Sequence, residues 1–147
     1  MRVYFDNCCL NRPFDDQKQL RIKLETEAKL EIQQKVIDKK IQLAWSYILD
    51  FENSVNPFDQ RRIVIQDWKE QAYVDTNETD TIIKQAHAIT EIGINSKDAL
   101  HIACAIELEC DYFLTTDDLV LKKGNMVTCI TITDPIDFIR KEYDVNG

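Results

Sequence analysis

The chain has 147 residues but only 3 glycines and 3 prolines. That composition leaves no room for long flexible linkers, and no Gly-rich phosphate loop is present, which sets aside a nucleotide-binding ATPase. Long apolar runs are missing as well: none approaches the ~18 residues that a membrane span needs. The cysteines Cys8, Cys9, Cys104, Cys110 and Cys129 contain no C-x-x-C pair and are odd in number. No secretory segment precedes the strand-like opening. The reading is therefore one of reduced thiols in a cytoplasmic protein, mostly small core residues, with neither a disulfide framework nor a zinc site. Basic residues are also short, 18 Lys plus Arg against 26 Asp plus Glu, for a net charge of −8. This argues against indiscriminate binding to nucleic acid or an anionic membrane through overall charge. It leaves open a local basic groove. It also leaves open a nuclease, whose metal site needs carboxylates.

What is present is ordinary globular material: 44% hydrophobic and 30% charged residues in a length typical of one domain, so residues 1–147 read as a single unit. Val3 to Phe5 is a short β-rich run ending at Asp6, and Asn7 to Asp16 reads as irregular. Gln17 to Lys40 reads as one long or two shorter helices with a charged, solvated face. Ile41 to Trp45 is a second strand, and Ser46 is placed to cap a helix over Tyr47 to Asn53 that Asn56-Pro57 stops. Phe58 to Gln71 reads as helix and Tyr73-Val74 as a third strand. Thr79 to Glu91 is a helix broken by Gly93, and Ser96 caps an apolar helix over Lys97 to Leu108. Tyr112 to Thr115 and Val127 to Ile132 complete the strands, and Asp134-Pro135 opens a closing helix. Strands alternating with helices predict an α/β fold with a parallel sheet covered on both faces.

Sites in such sheets form beyond the carboxyl ends of the strands, where strand order reverses. Asp6 and Asp117 both follow strand-like runs and share one rim if those strands are neighbours. Asp98 lies in the first turn of the apolar helix, where the helix dipole favours an acid even without a ligand. Glu52 lies near a helix end where the dipole opposes it. It reads either as an exposed glutamate or as a group aimed at a shared site. Hard cations prefer oxygen ligands and need few protein carboxylates, which suits acids gathered from distant segments. Of the remaining polar groups, His101 reads as a satisfied core histidine. Arg12, Lys97, Lys122 and Lys123 read as solvated surface, with RNA phosphate contact as the alternative. Trp45, Trp68 and Tyr73 read as core packing.

Four short stretches, in order, carry a resemblance: Val3-Tyr4-Phe5-Asp6-Asn7-Cys8-Cys9, Ser46-Tyr47-Ile48-Leu49-Asp50-Phe51-Glu52, Lys97-Asp98-Ala99-Leu100-His101-Ile102-Ala103 and Phe113-Leu114-Thr115-Thr116-Asp117. Over nearly its whole length the chain resembles PIN-domain proteins, the metal-dependent nuclease family that includes VapC-type toxins. The resemblance implies a Rossmann-like three-layer α/β/α fold with a central parallel sheet of four to five strands. It further implies an acidic site holding Mg2+ or Mn2+ through Asp6, Glu52, Asp98 and Asp117, with Asn7 and Thr115 in support. Asp118 rivals Asp117, and Asp50 rivals Glu52. Many family members carry Ser or Thr shortly after the first acid, where this chain has Asn7 and Cys8.

The expected activity is metal-dependent endoribonucleolytic hydrolysis of RNA. The implied biology is the toxin of a toxin–antitoxin pair, with an antitoxin partner and a homodimer. The competing reading is a non-catalytic PIN-like module that binds RNA or protein. A receiver-type phospho-acceptor ranks below both, because Asp6-Asn7 lacks the paired acids that such a site uses.

Overall fold

In the computed structural model, which describes residues 1–143, the apolar runs pair into one sheet and the amphipathic segments cover it. The elements in chain order are β1 (Arg2–Phe5), α1 (Asn7–Asn11), α2 (Leu20–Ile37), β2 (Gln42–Ser46), α3 (Tyr47–Ser54), α4 (Asp59–Trp68), β3 (Ala72–Thr76), α5 (Asp80–Thr90), α6 (Ser96–Glu107), β4 (Tyr112–Leu114), α7 (Asp118–Gly124), β5 (Thr131–Thr133) and α8 (Pro135–Glu142). Short 3-10 turns follow α1 and α4, over Arg12–Phe14 and Lys69–Gln71.

All the strand pairs are parallel, and the sheet order is β3-β2-β1-β4-β5. The chain builds outward from β1 through β2 to β3, then crosses back to lay down β4 and β5. The switch point therefore falls between β1 and β4, as the reading of Asp6 and Asp117 required. Val3, Tyr4 and Phe5 are each at most 1% exposed. Successive side chains on a strand point to opposite faces, so both faces of β1 are covered by helices. No helix among the described residues is long and apolar enough to cross a membrane.

Several expectations need correction. The stretch after Asp6 is not irregular: α1 forms because the Asp6 side chain accepts from the Cys9 amide and caps it. The cap of α6 is Asn95 rather than Ser96, since Asn95 accepts from the Asp98 amide. The last strand is shorter and later than Val127 to Ile132, because β4 offers only Tyr112 to Leu114 to pair with Thr131 to Thr133. Helix α7, unforeseen, starts where the Asp117 side chain accepts from the amides of Leu119 and Val120. Tyr73 is 66% exposed, since it lies on the edge strand β3, and it stacks with the Arg2 guanidinium 5.7 Å from its ring.

The largest departure is in α2. Its charges are not all solvated: Glu25, Lys29 and Gln33, spaced four apart on one stripe, are each at most 3% exposed. Glu25 accepts from Arg12 Nε at 3.1 Å and Arg21 Nε at 3.4 Å. Lys29 holds its ammonium 5.9 Å from the ring centres of both Phe5 and Trp68, and it has no ion pair among the described residues.

Burial lowers the Lys29 ammonium from its usual range to about 8. The unfolded chain, with a lysine near ~10.4, therefore binds more protons between these values, so Lys29 weakens the fold below pH ~8 and ceases to do so above ~10.5. Lys29→Met is expected to raise stability at pH 7 by about 1–3 kcal/mol, with the gain shrinking as pH rises through that window. Urea melts of both proteins at pH 7 and pH 10 check it. A destabilised variant, or a gain independent of pH, contradicts the assignment.

Candidate metal and nuclease site

Sheet pairing carries the strand ends into register. Phe5 stands opposite Leu114, and the Asp6 amide donates to Leu114 O at 3.1 Å. Asp6 and Thr115 are thus side by side at the rim. Asp6 is only 3% exposed, and its carboxylate is held on both oxygens. Oδ1 accepts from the Cys9 amide at 3.0 Å and from the Cys8 thiol at 2.8 Å, while Oδ2 accepts from the Thr115 hydroxyl. Burial pushes the Asp6 carboxyl well above the usual carboxylate range. Thr115 also accepts from the Asp117 amide at 3.1 Å, linking the two strand-end acids through one hydroxyl.

The acids Asp6, Glu52, Asp98 and Asp117 all line one open pocket of about 470 Å³, together with Asn7, Cys8 and His101. Asp117 caps α7 through Oδ1, at 2.9 Å from the Leu119 amide and 3.1 Å from the Val120 amide. Asp98 sits in the first turn of α6, where Asn95 Nδ2 donates to its carboxylate at 2.7 Å. Burial raises its carboxyl, and the neighbouring negative charge of Asp117 adds to the rise.

Glu52 comes from the far end of α3 and receives a hydrogen bond from His101 Nε2. His101, 1% exposed, is the satisfied core histidine expected, and it is also part of a buried chain. Its Nδ1 lies 2.6 Å from the Tyr4 hydroxyl, which lies 2.6 Å from Ser46 Oγ. A carboxylate only accepts, so Nε2 carries the proton. In the neutral ring Nδ1 then accepts from Tyr4, and Tyr4 accepts from Ser46. Every donor in the chain has an acceptor, and the imidazole is fixed at both nitrogens.

The rival acids point elsewhere. Asp118 pairs with Arg21 at 2.6 Å, and Asp50 accepts from Trp45 Nε1 and Lys69 Nζ, both at 2.9 Å. Thr115 stands behind Asp6 rather than on the pocket wall. Of the candidate basic residues, Lys97 lines the pocket, whereas Arg12 is held by Glu25 and Asp15. Sequence reasoning missed Cys8, Tyr4, Phe58 and Arg61. The cysteines read mostly as core thiols and Cys8 only as a departure after the first acid, yet its sulfur faces Asp6, Thr115 and Thr116 at the site. An acid directly before Asn-Cys-Cys-Leu is a capping signal that would have placed Cys8 in a first helical turn beside Asp6. Nothing local marks Phe58 or Arg61.

The four acids form an all-oxygen donor set, the type that Mg2+ or Mn2+ takes with water completing the shell. Asp117 Oδ2, Asp98 Oδ1 and Glu52 Oε2 carry no hydrogen bond among the described residues. By donor type the residues fit such a cation. As placed, no three His, Cys, Asp or Glu side chains among the described residues stand close enough to hold one together.

The fold recurs in solved structures. VapBC2 from Rickettsia felis, bound to a DNA fragment from its promoter, is 13% identical with a TM-score of 0.58, covering 91% of this chain and 98% of that one. FitAcB from Neisseria gonorrhoeae is 13% identical with a TM-score of 0.57, covering 90% and 97%. VapBC-1 from nontypeable Haemophilus influenzae is 15% identical with a TM-score of 0.55, covering 92% and 98%. No family model and no curated protein matches the chain. The likeness carries the fold alone, and the α/β architecture with a central parallel sheet that the sequence implied is the one found.

Removing the Tyr4 hydroxyl leaves His101 Nδ1 buried without its donor, which costs about 1–3 kcal/mol. Tyr4→Phe is therefore expected to destabilise the protein by that amount with little change in core volume. Equilibrium denaturation measures it. An unchanged midpoint would mean that the chain from Ser46 to Glu52 does not hold the imidazole.

Proposed function

We propose that the chain is a metal-dependent endoribonuclease that hydrolyses RNA phosphodiester bonds, leaving a 3′-hydroxyl and a 5′-phosphate, and acts as the toxin of a toxin–antitoxin pair. The observation that carries this reading is the gathering of Asp6, Glu52, Asp98 and Asp117 from β1, α3, α6 and the end of β4 into one pocket at the topological switch point. Asp6, Glu52, Asp98 and Asp117 would hold Mg2+ or Mn2+ there once a cation draws them together, since as placed no three of them reach one jointly. A bound cation of this kind activates water and stabilises charge on phosphate oxygens. The chain's own groups do the rest. Asp6 is oriented by the Cys9 amide, the Cys8 thiol and the Thr115 hydroxyl. Glu52 is oriented by His101, and Asn7 stands at the pocket wall as a further polar group.

An antitoxin partner that covers the pocket, and a homodimer, belong to the same proposal. The likeness in fold to the VapBC and FitAcB structures supports the antitoxin partner, and the homodimer rests on the resemblance of the four sequence stretches alone. The five free thiols support a cytoplasmic setting, and the continuous sheet supports taking residues 1–147 as one domain.

A second reading, a PIN-like module that binds RNA or protein without cutting, draws on the absence, among the described residues, of three carboxylates within joint reach of one cation. Asp6→Asn distinguishes the two. The variant keeps one acceptor for the Cys9 amide, so its circular dichroism should match the parent. Labelled RNA should be cut by the parent with Mn2+, spared after EDTA, and spared by the variant down to background. Equal cleavage by the variant refutes the site, and metal-insensitive binding without products favours the second reading.

A further inference from the structure

The pocket lining also carries an aromatic and two cations that the metal chemistry does not use. Phe58 is 57% exposed, although it is a large apolar ring on the pocket lining. It stands at the N-cap of α4 with no side-chain cap hydrogen bond, a position where Ser, Thr, Asp or Asn gives stability and phenylalanine gives none. Its backbone is nonetheless fixed, since the Phe58 amide donates to Asn56 Oδ1 at 3.1 Å and Pro57 precedes it. Arg61 lays its guanidinium 4.7 Å from the Phe58 ring centre, held in place by Phe14 O at 2.8 Å and Asp15 at 3.4 Å. One side of the ring is thus backed by a cation, and the exposure belongs to the rest of it. Lys97, also on the lining, is exposed in the first turn of α6, where the helix dipole disfavours a cation, and it has no ion pair among the described residues.

We propose that Phe58 and Arg61 form a base-stacking subsite for single-stranded RNA, with the base on the open side of Phe58 and neighbouring phosphates beside Arg61 and Lys97. This rests on the nuclease reading and names how its substrate is held. Carboxylates alone repel a polyanion, and this lining has Asp15 beside the four acids of the proposed metal site, so the cations on the same lining are what let a phosphate approach. A flat ring beside a cation matches the alternation of base and phosphate along a single strand. Stacking is sequence-tolerant because every base has a π-face. A duplex buries its base faces and offers nothing for Phe58 to stack on.

The test uses the full chain and a labelled unstructured oligoribonucleotide. KM and kcat are measured with Mn2+, and affinity is measured in EDTA as a readout independent of cutting. Phe58→Ala, at an exposed position, is expected to fold and to weaken affinity and raise KM by about 5- to 150-fold, with kcat far less affected. Phe58→Trp is expected to restore both, whereas Phe58→Leu is not. Arg61→Gln is expected to weaken binding to all single strands alike and to lower the salt slope by about 0.7. A Phe58→Ala protein with the parent's KM and affinity, or a Phe58→Leu protein equal to the Trp variant, overturns the subsite and leaves the ring to a protein partner. A parent that neither binds nor cuts RNA refutes the nuclease reading and the subsite together. A parent that cuts while Phe58→Ala cuts equally well refutes the subsite alone.

Discussion

The parallel pairing of β1 with β4 is the constraint from which the site follows. It buries β1 on both faces and sets Phe5 against Leu114, so the next residues on each strand, Asp6 and Thr115, emerge together at the rim. A slip of one residue would turn every side chain of β4 to the opposite face and carry the Thr115 hydroxyl away from Asp6. The same hydroxyl takes the Asp117 amide, so the position of the second strand-end acid depends on the first pairing too. The two acids are 111 positions apart in sequence, and one ladder of backbone hydrogen bonds joins them.

Placing four carboxylates around one pocket carries a repulsive cost that the fold meets in two ways. Asp6, Asp98 and Asp117 stand at or near the N-termini of α1, α6 and α7, where unpaired amides and the positive end of the helix dipole favour negative charge. Glu52 has no such help, because it lies toward the C-terminal end of α3, where the dipole opposes it. That is the acid that receives His101, itself fixed through Tyr4 to Ser46. Ser46 also caps the helix that carries Glu52. The buried chain therefore ties both ends of α3 to β1 and α6, and the one acid without a favourable helix terminus gains a specific hydrogen-bond donor.

Much of this was readable from the sequence, and the exceptions share a cause. The order of the strands and of the longer helices, the parallel sheet, and the common rim of Asp6 and Asp117 follow from local periodicity and from the rule for strand ends, whereas the short helices α1 and α7 do not. Glu52 and Asp98 needed the order of four motifs, since each acid alone has an ordinary structural explanation. The polar stripe Glu25, Lys29 and Gln33 was read as solvated because charge on a helix is usually solvated. Only tertiary packing brings Arg12 to Glu25 and the rings of Phe5 and Trp68 to Lys29. Cys8 was hidden for a related reason: its role depends on Thr115 and Thr116, more than 100 residues away. Phe58 and Arg61 are legible only once the pocket exists, for nothing in Asn-Pro-Phe-Asp-Gln-Arg-Arg distinguishes a pocket wall from a helix start.

Taken as a whole, the net charge of −8 opposes any polyanionic ligand. Its distribution removes the difficulty. In water with ordinary salt, charges more than ~8–10 Å apart are largely screened, so a ligand in the pocket responds to the lining rather than to the whole surface. On that lining Asp6, Glu52, Asp98 and Asp117 are the groups that a divalent cation would neutralise, and the fifth acid, Asp15, is paired with Arg61 at 3.4 Å. Arg61 and Lys97 are cations that no metal would displace. With its acids engaged, the pocket's local balance shifts toward positive, although the chain as a whole stays acidic. An acidic protein of this kind would attract an RNA poorly at long range and hold it only at short range, so on the proposed reading recognition comes from contacts such as stacking and paired phosphates rather than from field alone.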